Sequence, residues 1–200
     1  SHTRLGEDAS EAFMRTSPLE EYGVIHLATH ALVSESSVTG TGLILSPGGG
    51  EDGFFSPGDI AQLKLGAGIV VLSACRSASG ALVRGEGLQG LTAPLLQAGS
   101  RTVLATQWAI DDRSGFRLIR DFYLGLADGV TVGESLRAAK LASLERGDPA
   151  AVWAAFTAVG DATLRVPAVT PRPRVALWLG VLVGIVFGAV ASKMLWRRPA

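Results

Sequence analysis

The chain has 200 residues, 18 basic side chains against 18 acidic ones, and a single cysteine. Zero formal charge excludes a generally basic surface for nucleic acid, and one cysteine excludes an internal disulfide framework and fits a reducing compartment. The length suffices for one domain with a buried core plus appendages. The absence of asparagine removes every N-glycosylation acceptor and any Cys-His-Asn triad.

Residues 1–23 are polar and irregular, with a short helix expected over 10–14. The first apolar run, 24–29, reads as a buried strand that ends at His30. A Ser/Thr-rich loop over 32–41 follows, then a short strand over 43–45 and a Gly-rich turn over 47–53. Ser56-Pro57-Gly58-Asp59 opens a helix through Leu63, with Pro57 suited to its first position. The run Ile69-Val70-Val71-Leu72-Ser73-Ala74 is a strand apolar on both faces, the kind found in parallel sheets, and Cys75 stands where it ends. A polar loop over 77–86 is placed to cover that end, and a helix over 87–97 is stopped by Gly99. Residues 102–108 form the next buried strand. Asp111 and Asp112 cap a helix whose apolar face runs through Phe116, Ile119, Phe122 and Leu126. Another helix spans 132–146, and 152–159 is a short strand or helix. Strands alternating with helices predict an α/β fold, a three-layer α/β/α sandwich with a mostly parallel sheet.

In open α/β sheets, ligands bind at the carboxyl ends of the strands. Cys75 and His30 both fall there, and a thiol beside an imidazole makes a nucleophile and its base. Taken singly, each has a plainer reading: Cys75 as a small buried hydrophobe and His30 as a satisfied loop residue. Taken together they follow the order His then Cys, 75 − 30 = 45 residues apart. Ser73-Ala74-Cys75-Arg76-Ser77 comes close to the caspase pattern Q-A-C-[RQG]-G, whose histidine lies about 50 residues upstream.

The strings His26-Leu27-Ala28-Thr29-His30-Ala31, Leu72-Ser73-Ala74-Cys75, Gly85-Glu86-Gly87-Leu88-Gln89-Gly90-Leu91 and Gln107-Trp108-Ala109-Ile110-Asp111-Asp112, with the closing Trp153-Ala154-Ala155-Phe156, resemble the CHAT domain over roughly residues 6–162. That resemblance implies a caspase-like cysteine endopeptidase, in clan with caspases, separase and gingipains, with His30 and Cys75 as its dyad. It implies no metal and no cofactor, and a protein or peptide as the substrate. Members of the family commonly carry an acidic residue after the cysteine, where this chain has Arg76, which bears on substrate preference. A strand and helix usually precede this part of the domain, so residues 1–165 are expected to be a CHAT-like peptidase domain lacking its N-terminal part.

On that reading the thiolate attacks, His30 protonates the leaving amine, and backbone N–H groups of Cys75 and Ala31 form the oxyanion site. Trp108 is either core or a wall of the cleft. Asp111 and Asp112 are helix caps or, lying just past a strand end, carboxylates facing a basic substrate side chain. His26 reads as a core histidine. Gly85-Glu86-Gly87-Leu88-Gln89-Gly90 fits G-x-G-x-x-G but stands about ten residues past its strand, too far for a dinucleotide fingerprint. The rival from another class is a catalytically silent caspase-fold scaffold that binds partners at the membrane.

Residues 166–174 carry Pro167, Pro171 and Pro173, a stiff linker. Residues 175–192 hold no charge, and the stretch 175–196 makes about 33 Å of helix at about 1.5 Å per residue, enough to cross a bilayer. Trp178 and Trp196 suit the two interfaces. Gly180, Gly184 and Gly188 fall on one helical face, the pattern of a self-associating span and hence a homodimer. Arg172 and Arg174 nearly balance Lys193, Arg197 and Arg198. A single-pass membrane protein with its peptidase domain in the cytoplasm is expected, because no export signal is visible and the thiol must stay reduced.

Overall fold

The computed structural model of the protein describes residues 2–32, 40–73, 90–108 and 110–166, all within one compact unit, Ser1–Ala168. In chain order its elements are α1 (Glu11–Thr16), β1 (Val24–Leu27), β2 (His30–Leu32), β3 (Gly42–Ile44), β4 (Phe54–Phe55), α2 (Pro57–Ala61), β5 (Ile69–Leu72), α3 (Thr92–Gln97), β6 (Thr102–Thr106), α4 (Asp112–Ala127), α5 (Val132–Glu145), α6 (Ala150–Trp153) and β7 (Phe156–Gly160). Cys75, Arg76, the loop over 77–86, the linker beyond Val166 and the apolar run 175–196 lie outside the described residues.

The main sheet has the order β1-β5-β6-β7. β1 pairs parallel to β5 and β5 parallel to β6, while β7 returns antiparallel to β6. The fold is therefore mixed α/β with a mostly parallel sheet. β5 and β6 are buried at every residue, as expected of strands covered on both faces. Alternation divides their side chains between two cores. Val70, Leu72, Val103 and Ala105 pack with Met14, Phe55, Ile60 and Leu95, on the side of α1, α2 and α3. Ile69, Val71 and Leu104 pack with Leu118, Phe122, Leu126, Val132 and Leu136, on the side of α4 and α5.

The helix starts follow their caps. Ser56 and Asp59 close a capping box around Pro57, with the Asp59 N–H donating to Ser56 Oγ at 3.2 Å and the Ser56 N–H to the Asp59 carboxylate at 3.0 Å. Asp59 also pairs with Arg15 at 2.8 Å. Arg15 binds the buried carboxylate of Glu11 at 2.6 Å, and Glu11 accepts the Gly53 N–H at 3.2 Å. One ionic cluster thus ties α1 to α2 and to the turn before β4.

Four expectations are corrected. The first strand stops at Leu27 rather than running to residue 29, and His30 opens β2 instead of following a strand end. β2, β3 and β4 form a second, antiparallel sheet that the sequence pattern did not announce. Pairing of two- and three-residue strands leaves too few positions for a period-2 signal to be read. β6 ends at Thr106, short of Trp108. The segment 152–159 is both elements in turn, the end of α6 and then β7. Among the described residues, no helix is long and apolar enough to cross a membrane.

Candidate active site

β1 and β5 lie side by side and parallel, with Leu27 opposite Leu72. The last described rung of their ladder is the Ser73 N–H donating to the Leu27 carbonyl at 3.0 Å. In the sequence, His30 and Cys75 each come three residues after the paired leucines: 30 − 27 = 3 and 75 − 72 = 3.

His30 is exposed and its backbone is held from the other side. It pairs with Ile44 in β3, and the Thr29 hydroxyl donates to the carbonyl of that same Ile44. Two attachments at one residue fix the turn between β1 and β2 that carries the imidazole. Ala31, next in line, is half-buried opposite Leu43 and packs on the first core.

A cleft of about 720 Å³ opens at the carboxyl ends of β1, β5 and β6. His30, Thr29, Ser73 and Thr106 lie along it. His26, expected in the core, also lines it: one side of the ring faces the cleft and the other lies against Tyr123, with centroids 5.7 Å apart. His26 is exposed toward the solvent, and the partial loss of water around its ring disfavours the imidazolium and lowers its pKa below the usual 6.5. The signal was present in the alternation, since residues 26 and 28 share one face of the strand.

Trp108 and Asp111 do not belong to the described lining of this cleft. The Trp108 indole N–H donates to the Ala151 carbonyl at 2.7 Å, which fastens the segment after β6 to α6. Asp111 is the N-cap of α4, accepting the Ser114 N–H at 2.8 Å; hydrogen bonds to Ser114 hold its carboxyl below the usual range. Asp112 is the first residue of α4.

Phe116 was placed by its spacing on the buried face of α4, yet it is 68% exposed and lines the cleft. At about 100° per residue it falls roughly 100° from the centre of the stripe formed by Leu118, Ile119, Phe122 and Leu126. Among the described residues, no cluster of three His, Cys, Asp or Glu side chains is placed to hold a metal ion.

A mostly parallel sheet with helices on both faces, closed by one antiparallel strand and opening a cleft at its carboxyl edge beside a histidine, is compatible with the α/β architecture expected from the sequence. The family model of the CHAT domain matches residues 1–161, and the chain belongs to that family, which is related to the caspase-like cysteine peptidases. No curated protein matches the chain.

Proposed function

We propose that this protein is a membrane-anchored, caspase-like cysteine endopeptidase in which Cys75 is the nucleophile and His30 its proton carrier. The register of β1 and β5 is the observation that carries the reading: neighbouring parallel strands bring their carboxyl ends to one edge, and both residues lie three positions past the paired leucines. The Cys75 thiolate adds to the substrate carbonyl carbon, and the developing oxyanion is held by the N–H groups of Cys75 and Ala31. The C–N bond breaks as the His30 imidazolium gives its proton to the departing amine. Water then adds to the thioester, His30 takes the water's proton, and the new carboxylic acid leaves with the thiol restored. No cofactor enters these steps.

Anchoring rests on the sequence of residues 175–196, with the peptidase domain on the cytoplasmic side and Gly180, Gly184 and Gly188 pairing two spans. Paired spans hold two peptidase domains near each other, a suitable trigger for an enzyme of a signalling or defence pathway. Gly184→Ile lowers association of the isolated span in a bacterial membrane reporter; an unchanged signal ends the dimer reading.

The test of the dyad is substitution. Cys75→Ala and His30→Ala each abolish cleavage of a protein substrate, and iodoacetamide labels the wild type at neutral pH but not Cys75→Ala. Because His30 is exposed, His30→Ala leaves thermal unfolding nearly unchanged. Cleavage that persists in Cys75→Ala refutes the nucleophile and favours the silent scaffold.

A further inference from the structure

We infer that the part of the cleft beside His30 and against α4 is a specificity pocket for a bulky apolar side chain, such as leucine, methionine or phenylalanine, next to the scissile bond. The inference rests on the peptidase reading and names its substrate class. Three observations carry it.

The first is the composition of that wall. Ile110, Phe116, Ile119 and Phe156 supply it, and Phe116, 68% exposed, is an aromatic ring without cover among the described residues. An apolar side chain seated against it removes that surface from water.

The second is construction. A Cβ at Gly115 would stand 2.9 Å from Ile110 Cδ1, so a side chain at this position would push Ile110 away. Glycine lets Ile110 lie across the first turn of α4 and close one side of the wall.

The third is charge. The described lining of the cleft contains no carboxylate. Asp111, the nearest along the chain, is turned to the Ser114 N–H as the cap of α4. A lysine or arginine entering the pocket would therefore lose water without gaining a counter-charge from the described lining. The arginine of the described lining, Arg4, has its guanidinium over Phe13, 4.9 Å from the ring centroid, so it offers no partner to an acidic side chain against α4.

The test uses the full-length chain and a library of tetrapeptides carrying an aminocoumarin amide, varied at the residue before the cleaved bond. Leucine, methionine or phenylalanine there is expected to be cleaved at least tenfold better, in kcat/KM, than lysine, arginine, aspartate or glutamate. Phe116→Asp, made at an exposed position, is expected to shift the preference toward lysine and arginine by at least tenfold, a reversal that loss of packing alone does not produce. A wild-type preference for charged residues, or an unchanged profile in Phe116→Asp, overturns the inference. If no peptide is cleaved, the peptidase reading fails, and the pocket is judged separately by calorimetry with acetylated tetrapeptide amides on Cys75→Ala protein. Binding of the leucine peptide at least tenfold tighter than the lysine peptide sustains it; equal or reversed affinities refute it.

Discussion

The main-chain N–H of Ser73 donates to the carbonyl of Leu27 at 3.0 Å, the last described rung between the two strands that precede Cys75 and His30 in the sequence. Beyond it the chain from β1 enters the small antiparallel sheet at His30. That single bond ties Ser73, two residues before the proposed nucleophile, to Leu27, three residues before the proposed base. Ser73→Pro removes the donor, while Ser73→Ala keeps it. A lost hydrogen bond of this kind is worth about 1 kcal/mol of stability. Peptide cleavage in Ser73→Pro is expected to fall far more than that, at least about a hundredfold, since misplacement by about 1 Å has that cost. Cleavage by Ser73→Ala should stay near wild type. Urea unfolding and kcat/KM measured on the same samples separate the two effects; a loss of activity no larger than the loss of stability counts against the rung as the positioning element.

The sequence disclosed the main sheet better than the site. Ile69–Leu72 and Thr102–Thr106 are buried at every residue, and uninterrupted apolar runs bounded by glycine or polar residues are the strongest strand signal a sequence carries. The caps at Ser56 and Asp111 were likewise readable, because cap chemistry is local. The second sheet was not. β2 pairs with β3 across a long connection, and three-residue strands carry no period of their own. The site suffered from the same limit. His30 was recognised from its spacing to Cys75, but its attachment to Ile44 depends on tertiary pairing. Trp108 and Asp111 are candidates because they follow a strand end; their hydrogen bonds to the Ala151 carbonyl and the Ser114 N–H depend on tertiary and cap geometry that spacing alone does not show. Residue type suggests the core for His26, and three-and-four spacing suggests it for Phe116, while strand alternation and helical angle put them in the cleft.

His26 gives the protein a pH dependence of definite sign. Although the residue is exposed, partial desolvation of its ring disfavours the cation and puts its folded pKa below the usual 6.5. Below about pH 6.5 the unfolded chain therefore binds more protons than the folded one, and stability rises with pH. Its contribution is flat above that value and falls as the pH drops from 6.5 toward the folded pKa. Asp59, Asp121 and Asp148 are held below the usual 3.8 by their arginine and serine partners, so they act in a more acidic range. Melting temperatures of wild type and His26→Gln, compared from about pH 7 to pH 5, are expected to converge or cross as the pH falls, because glutamine cannot take up the proton. Parallel curves across this range would refute the role given to His26.

The crossing of α4 and α5 offers a test of packing independent of function. Gly125 lies where the helices meet, and a Cβ there would stand 2.8 Å from Ser135 Oγ and 2.9 Å from Ser135 Cβ. Alanine in a helix is favoured over glycine by about 1 kcal/mol, so a site free of contacts would be stabilised by the exchange. Here the clash is with a buried side chain on the neighbouring helix, and overpacking of this kind costs about 1–3 kcal/mol. Gly125→Ala is therefore expected to lower the urea midpoint, the reverse of the propensity effect. Ser135 is fully buried, and its hydroxyl has no hydrogen-bond partner among the described residues. Ser135→Ala should then be neutral or stabilising, since it removes an unsatisfied polar group. Ser135→Gly removes both of the nearest atoms and is expected to recover part of the stability lost in Gly125→Ala; the recovery is partial because Ser135 Cα remains 3.1 Å away. The two sites should be non-additive in the double mutant, as contacting residues are. Additive effects within about 0.3 kcal/mol would mean that the helices do not meet at these two residues.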